Sequence, residues 1–416
     1  MQMLNWANQF NICSLLDNQQ YQLPHHSIEC LVAAGARSTV EASAGKALDQ
    51  LSSFSRQHPD WLFGHLAYDL KNELEPLHSA HPDGIGFPDL FFFVPEVIVQ
   101  LSFDAISIGA LGNNHEEIYR QIISMPVSAA SSHPPISIQS RLSKEEYIEI
   151  IRRLKQHILR GDCYEINFCQ EFFAENVSLE PVSVYRSLCK MSPNPFAAFY
   201  KLNDKFLLCA SPERYLKKTG DHIFSQPIKG TWQRNPIDAE QDQANKDLLY
   251  HSAKDRSENV MIVDLVRNDL SRICEEGSVK VDELFGIYTF PQVHQMISTI
   301  TGKLRPGVGF IEAVRASFPM GSMTGAPKRR VLELIEQYEN TRRGMFSGAL
   351  GYITPDGDFD FNVIIRSLLY NATRRYLSFP AGSGITFYSD PENEYEECLL
   401  KVAAIKKVLG AVSGAR

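Results

Sequence analysis

The chain has 416 residues, 41 of them basic and 49 acidic, for a net charge of −8 with histidine neutral. That length accommodates one large α/β domain or two interleaved ones with a substantial core, and an acidic chain without a dense lysine or arginine run is a poor match for a nucleic-acid polyanion. The most apolar stretch, Leu90 to Leu101, is broken by Pro95 and Glu96 and falls short of the roughly 18 apolar residues of a membrane span; with no basic flank or apolar signal core after Met1, the sequence reads as cytoplasmic.

In chain order, Phe91-Phe-Phe-Val94 reads as a short buried strand, and Ile98 to Ile108 alternates like one strand. The stretch Met125 to Ser140, with Pro126, Pro134 and Pro135 among serines and alanines, reads as a linker. The expected division is an N-terminal α/β region over 1–124, a linker over 125–142 and a catalytic region over 143–410. Ser143-Lys-Glu-Glu146 predicts a capping box, followed by Tyr147, Ile151, Leu154 and Ile158 at helical spacing up to Gly161. Tyr164 to Phe172, Phe196 to Leu202 and Phe206 to Ala210 read as strands, and long helices are expected over Ala239 to Ile273, Pro327 to Tyr338 and Glu394 to Leu409. Strands and helices in blocks predict an α+β class, with antiparallel sheets packed with helices in a layered sandwich around a cleft.

The eight cysteines contain no Cys-x-x-Cys pair, so neither a zinc site nor a disulfide framework is expected. Asp255 with Glu258, and Glu394 with Glu397, are carboxylates spaced i, i+3 on predicted helices, so each pair points from one helical face. Two facing helices could present such acids to a hard cation such as Mg²⁺; solvated acids paired with Arg256 and Lys401 fit the same residues. Gly321-Ser-Met-Thr-Gly-Ala-Pro-Lys328 places glycines and Thr324 before a helix whose free N–H groups would face an anion, but its spacing is not that of a Walker loop, which argues against phosphoryl transfer. Ala381-Gly-Ser-Gly-Ile385 reads as a small-residue loop open to a carboxylate or as an ordinary turn. Lys229 follows apolar Ile228, where desolvation would lower its pKa unless nearby carboxylates raise it again. Glu213, beside Arg214, and His294 are acid–base candidates or internally satisfied groups.

The order of these segments resembles the chorismate-utilising enzymes, the family that contains the large subunits of anthranilate and aminodeoxychorismate synthases. The resemblance rests on Gly161-Asp-Cys-Tyr-Glu-Ile-Asn167, Ser211-Pro-Glu-Arg214, Pro227-Ile-Lys-Gly-Thr231, Lys254-Asp-Arg-Ser-Glu-Asn259, Met261-Ile-Val-Asp-Leu-Val-Arg-Asn-Asp269, Thr324-Gly-Ala-Pro-Lys328, Asp360-Phe-Asn-Val-Ile-Ile-Arg366 and Asp390-Pro-Glu-Asn-Glu-Tyr-Glu-Glu397. It implies that Glu258 and Glu397 bind Mg²⁺ with Asp255 and Glu394 in support. It also implies that Arg366, Lys401, Tyr352 and the backbone at Gly382 and Gly384 hold the carboxylates of chorismate, with Thr231 and Thr324 also at the substrate. His294 matches the family's active-site histidine, although Gln295 stands where many members have a second one.

Anthranilate and isochorismate synthases usually carry alanine where this chain has Lys229, and the aminodeoxychorismate branch carries lysine. The resemblance therefore implies amination at ring C4, with Lys229 as nucleophile and Glu213 as the acid at the departing hydroxyl. Besides Gln295, the chain departs from the family's patterns where Leu15-Leu-Asp-Asn18 stands in place of Leu-Leu-Glu-Ser and Glu165 in place of glutamine or lysine. The sequence contains no Gly-x-Cys-x-Gly elbow of a glutaminase, so ammonia is expected from a separate glutamine amidotransferase subunit. The alternatives are anthranilate synthase component I, which aminates C2 and eliminates pyruvate, and a silent chorismate-binding subunit.

Overall fold

The structure, a computed structural model, describes residues 1–21, 28–127, 134–290, 293–410 and 412–413. Among these residues two large sheets form. The first runs in the order Val412–Ser413, Ser137–Ser140, Glu165–Ala174, Tyr376–Ile385, Ser367–Asn371, Lys205–Ser211, Phe196–Leu202, Ile12–Asp17, Cys30–Ala34, Val97–Leu101 and Ile106–Ala110, with Gly325–Ala326 paired to Glu165–Ala174. The second runs Ile228–Gln233, Val293–Lys303, His222–Gln226, Arg214–Thr219, Phe359–Val363, Ala349–Ile353, Leu62–Leu66, Leu90–Val94 and Ser38–Ala42, with Lys280–Thr289 also on Val293–Lys303. Apart from the short parallel pair at Val412–Ser413, the pairings are antiparallel, as the blocks of strands predict.

Period-two alternation builds the layers. Leu31, Phe63, Phe91, Phe93 and Leu207 pack between the sheets. Their chain neighbours face outward: Val32 and Leu208 lie under the helices that cover the first sheet, with Tyr147, Val184, Val331 and Val402. Leu62 and Phe92 lie under those that cover the second, with Leu48, Ile262 and Val314. The result is a helix–sheet–sheet–helix sandwich in the expected α+β class. The capping box at Ser143 is formed, with the Glu146 N–H donating to Ser143 Oγ at 3.2 Å and the Ser143 N–H to Glu146 Oε2 at 2.8 Å.

Four local expectations need correction. The run from Ile98 to Ile108 is two strands joined by a tight turn in which Ser102 N donates to Ala105 O. Of the expected linker, 128–133 lies outside the described residues, and Ser137–Ser140 is a strand paired with Phe172 and Phe173, because Ile136 and Ile138 are buried. The helix expected from Ala239 to Ile273 is two, Ala239–His251 and Ala253–Ser271, split at Ser252, whose hydroxyl accepts the Asp255 N–H. Pro327 is the residue before the Lys328–Tyr338 helix rather than part of its first turn.

Candidate active site

The two sheets meet chemically at Lys229 and Glu165. Lys229 belongs to the Ile228–Gln233 strand of the second sheet, which is bulged between Ile228 and Thr231. Gly230 follows at φ +89°, and a β-carbon there would come within 3.0 Å of Asp255 Cβ, so this turn of the strand requires glycine. Glu165 opens the Glu165–Ala174 strand of the first sheet. Lys229 Nζ donates to Glu165 Oε1 at 2.5 Å, and both side chains are buried. Burial alone would lower the Lys229 pKa, but Glu165, Glu258 and Glu213 more than reverse it, and the amine is held charged, above its ordinary value.

Two helices from opposite outer layers supply the acids. Ala253–Ser271 carries Lys254, Asp255 and Glu258; Pro391–Val408, capped by Asp390, carries Glu394, Glu397 and Lys401. Lys254 Nζ lies 2.9 Å from Glu394 Oε1, 3.8 Å from Glu258 Oε1 and 4.0 Å from Glu397 Oε2. Lys401 lies 2.9 Å from Glu397 Oε1 and donates to Gly382 O at 2.8 Å. Burial pushes the Glu258 carboxyl up to about 8, although Lys229 and Lys254 pull the other way.

Among the described residues no three His, Cys, Asp or Glu side chains are grouped as a ready metal site. The donor set nevertheless fits a hard cation, because Glu258 Oε1 and Glu394 Oε2 are buried carboxylate oxygens with no hydrogen-bond donor among the described residues. Asp255 stands one turn before Glu258 and packs on Gly230; burial raises its pKa.

Gly382 and Gly384 sit in the Tyr376–Ile385 strand, paired with Cys169 and Asn167, so the expected small-residue loop is strand. A β-carbon on Gly382 would strike Phe168 O, whereas one on Gly384 would come 2.8 Å from Lys229 Nζ and 3.0 Å from Glu165 Oε1. Glu213 is buried, and that burial pushes its carboxyl up to about 7 against the Ser322 hydroxyl, Lys229 and Arg366. Arg366, at φ +50°, is lowered to about 10 by burial, with Glu213 opposing. Lys229, Glu165, Glu213, Glu258, Asp255, Glu394, Glu397, Lys401, Arg366, Gly382 and Gly384 thus form one connected constellation.

Four predicted residues are placed differently. Tyr352 packs near Trp61 and Phe63 and lines a separate cavity of about 60 Å³ with Leu16, Asp17 and Lys217. It lies there because its position on the strand turns it to the inter-sheet face. Thr324 is fully buried and its hydroxyl donates to Met320 O at 3.1 Å, while Lys328 is bound to Asp269 and Ser317 O. His294 is buried between Thr289 Oγ1 at 3.1 Å and Asp242 Oδ1 at 2.9 Å, which leaves neither ring nitrogen free for substrate. Thr231 is exposed opposite Gln295, whose buried side-chain amide has no hydrogen-bond partner among the described residues. The bridging role of Lys254 was not foreseen, although its i, i+4 spacing to Glu258 was a readable signal.

Residues 10–407 match the family of chorismate binding enzymes, and the chain belongs to that family; it is a chorismate-utilising enzyme. It is 35% identical over 350 residues to aminodeoxychorismate synthase component 1 of Escherichia coli (strain K12), covering 84% of this chain and 76% of that one. It is 32% identical over 370 residues to anthranilate synthase component 1 of Thermus thermophilus, covering 85% and 79%. The crystal structure of anthranilate synthase component I from Streptococcus pneumoniae matches with a TM-score of 0.79 at 25% identity, covering 93% and 94%. No helix among the described residues is long and apolar enough to cross a membrane.

Proposed function

We propose that this enzyme aminates chorismate at C4 to give 4-amino-4-deoxychorismate, using ammonia from a separate glutamine amidotransferase subunit, in cytoplasmic 4-aminobenzoate and folate synthesis. The observation that carries this reading is Lys229: a buried amine held at 2.5 Å by Glu165, with Glu213 close enough to act on its charge. The relatives named aminodeoxychorismate synthase component 1 support it.

On this reading Lys229 gives its proton to Glu165 and its lone pair adds at C2. Both ring double bonds shift, C1=C2 to C1=C6 and C5=C6 to C4=C5, and the C4–O bond breaks as Glu213 protonates the departing hydroxyl, which leaves as water. Ammonia then adds at C4 and gives its extra proton back to Glu213, both double bonds return as the C2–N bond breaks, and Lys229 recovers its proton from Glu165. Glu258, Glu394 and Glu397, backed by Asp255, would hold Mg²⁺, which when bound anchors a substrate carboxylate and withdraws electron density. Lys401 and Arg366 would bind carboxylates, and Gly384 leaves open the space at Lys229.

The second reading is anthranilate synthase component I, which the similarity to the Thermus thermophilus enzyme favours. The two separate on their products. Purified protein with chorismate, Mg²⁺ and excess ammonium is expected to give 4-amino-4-deoxychorismate without pyruvate. Anthranilate with equimolar pyruvate would establish the second reading, and no turnover would point to a silent chorismate-binding subunit.

A further inference from the structure

We propose that the Lys254 ammonium is a built-in counter-ion that stands in the divalent cation's place among these carboxylates and must leave when the ion enters. The inference rests on the reading of Glu258, Glu394 and Glu397 as the metal's carboxylates. Lys254 is the group that ties these acids together across two helices, at 2.9 Å from Glu394, 3.8 Å from Glu258 and 4.0 Å from Glu397.

Lys401 pairs with Glu397, but without a further cation the carboxylates converging on helices from opposite faces of the sandwich would repel one another in a partly desolvated cleft. The ammonium relieves that repulsion and helps hold the helices in register. It leaves the buried oxygens Glu258 Oε1 and Glu394 Oε2 without a hydrogen bond among the described residues, so its solution of the site is incomplete. A divalent ion reaching those oxygens would come too close to Nζ for both cations to remain.

Of the two lysines beside Glu258, only Lys254 can leave readily. Its side chain is 37% exposed and lies in the first turn of its helix, whereas Lys229 is 9% exposed and bound to Glu165. Metal entry is therefore an exchange of one cation for another.

The test uses the full chain without substrate. Calorimetric titration with MgCl₂ compares wild type, Lys254→Gln and Lys254→Arg. Removal of the competing charge is expected to tighten Mg²⁺ binding by about tenfold, with Lys254→Arg near wild type. In EDTA, Lys254→Gln is expected to melt below wild type, and the gap should close at saturating Mg²⁺. Unchanged or weaker binding by Lys254→Gln, with wild type still binding, overturns the proposal and leaves the metal reading standing. Failure of every form to bind Mg²⁺ removes the metal reading and the proposal with it. Should Lys254→Gln not fold, amine labelling of wild type followed by peptide mass analysis decides: Mg²⁺ must increase modification of Lys254 but not of Lys229, and no increase at Lys254 overturns the proposal.

Discussion

Glu213 shows how a single buried side chain ties stability to chemistry. Its folded-state pKa of about 7 lies above that of an ordinary glutamate, so the folded protein holds this proton more tightly than the unfolded chain. Stability from this group therefore falls as pH rises through the window between the two values, and the penalty is complete above about 7. Glu213→Gln is expected to be more stable than wild type at pH 8 by on the order of 1–3 kcal/mol, read by denaturant titration. The same variant should slow turnover by about 10²–10⁴-fold. Wild-type kcat/KM should decline above about pH 7 as the acid ionises, and the variant's profile should lack that limb. The sequence exposed the residue type but not this balance. Desolvation of Lys229 was legible from Ile228, yet the sign of its shift is set by Glu165, 64 positions away, and His294 reads as catalytic until Asp242, 52 positions away, takes its Nε2.

Among the elements, the Tyr376–Ile385 strand makes two glycines serve different ends. Gly382→Ala drives a methyl into the backbone of the paired strand at Phe168 and is expected to lower the thermal midpoint markedly. Gly384→Ala meets the ends of Lys229 and Glu165 instead, so it should stay folded and lose most turnover; a folded, fully active variant would refute the close approach. Periodicity made the helices carrying Glu258 and Glu394 legible, and the Ser143 capping box was readable to the residue. The break at Ser252 does not follow from periodicity, because the polar Ala239–His251 helix runs on at helical spacing into the next one, although Ser252-Ala-Lys-Asp255 matches a capping-box spacing.

For the whole molecule, both sheets use strands from the two ends of the chain. Ile12–Asp17 lies between Phe196–Leu202 and Cys30–Ala34, and Leu62–Leu66 pairs with Ala349–Ile353. A fragment starting at residue 143 would expose those strand edges and half of the inter-sheet core, so it is expected to aggregate or unfold without a cooperative transition. Alternating apolar residues disclose the layers, but strand order does not follow from alternation; Tyr352, given to the substrate by the resemblance alone, lines a separate cavity.

The constellation joins Lys229 on one sheet to Glu165 on the other, and its central claim is that Lys229 becomes bonded to the substrate. The direct measurement is intact-protein and peptide mass analysis after incubation with chorismate and Mg²⁺, without ammonia. The predicted result is an adduct on Lys229 with the mass of chorismate less one water, discharged as 4-amino-4-deoxychorismate when ammonium is added and absent in Lys229→Ala. Undiminished C4 amination by Lys229→Ala, or an adduct that ammonium does not discharge, would contradict it.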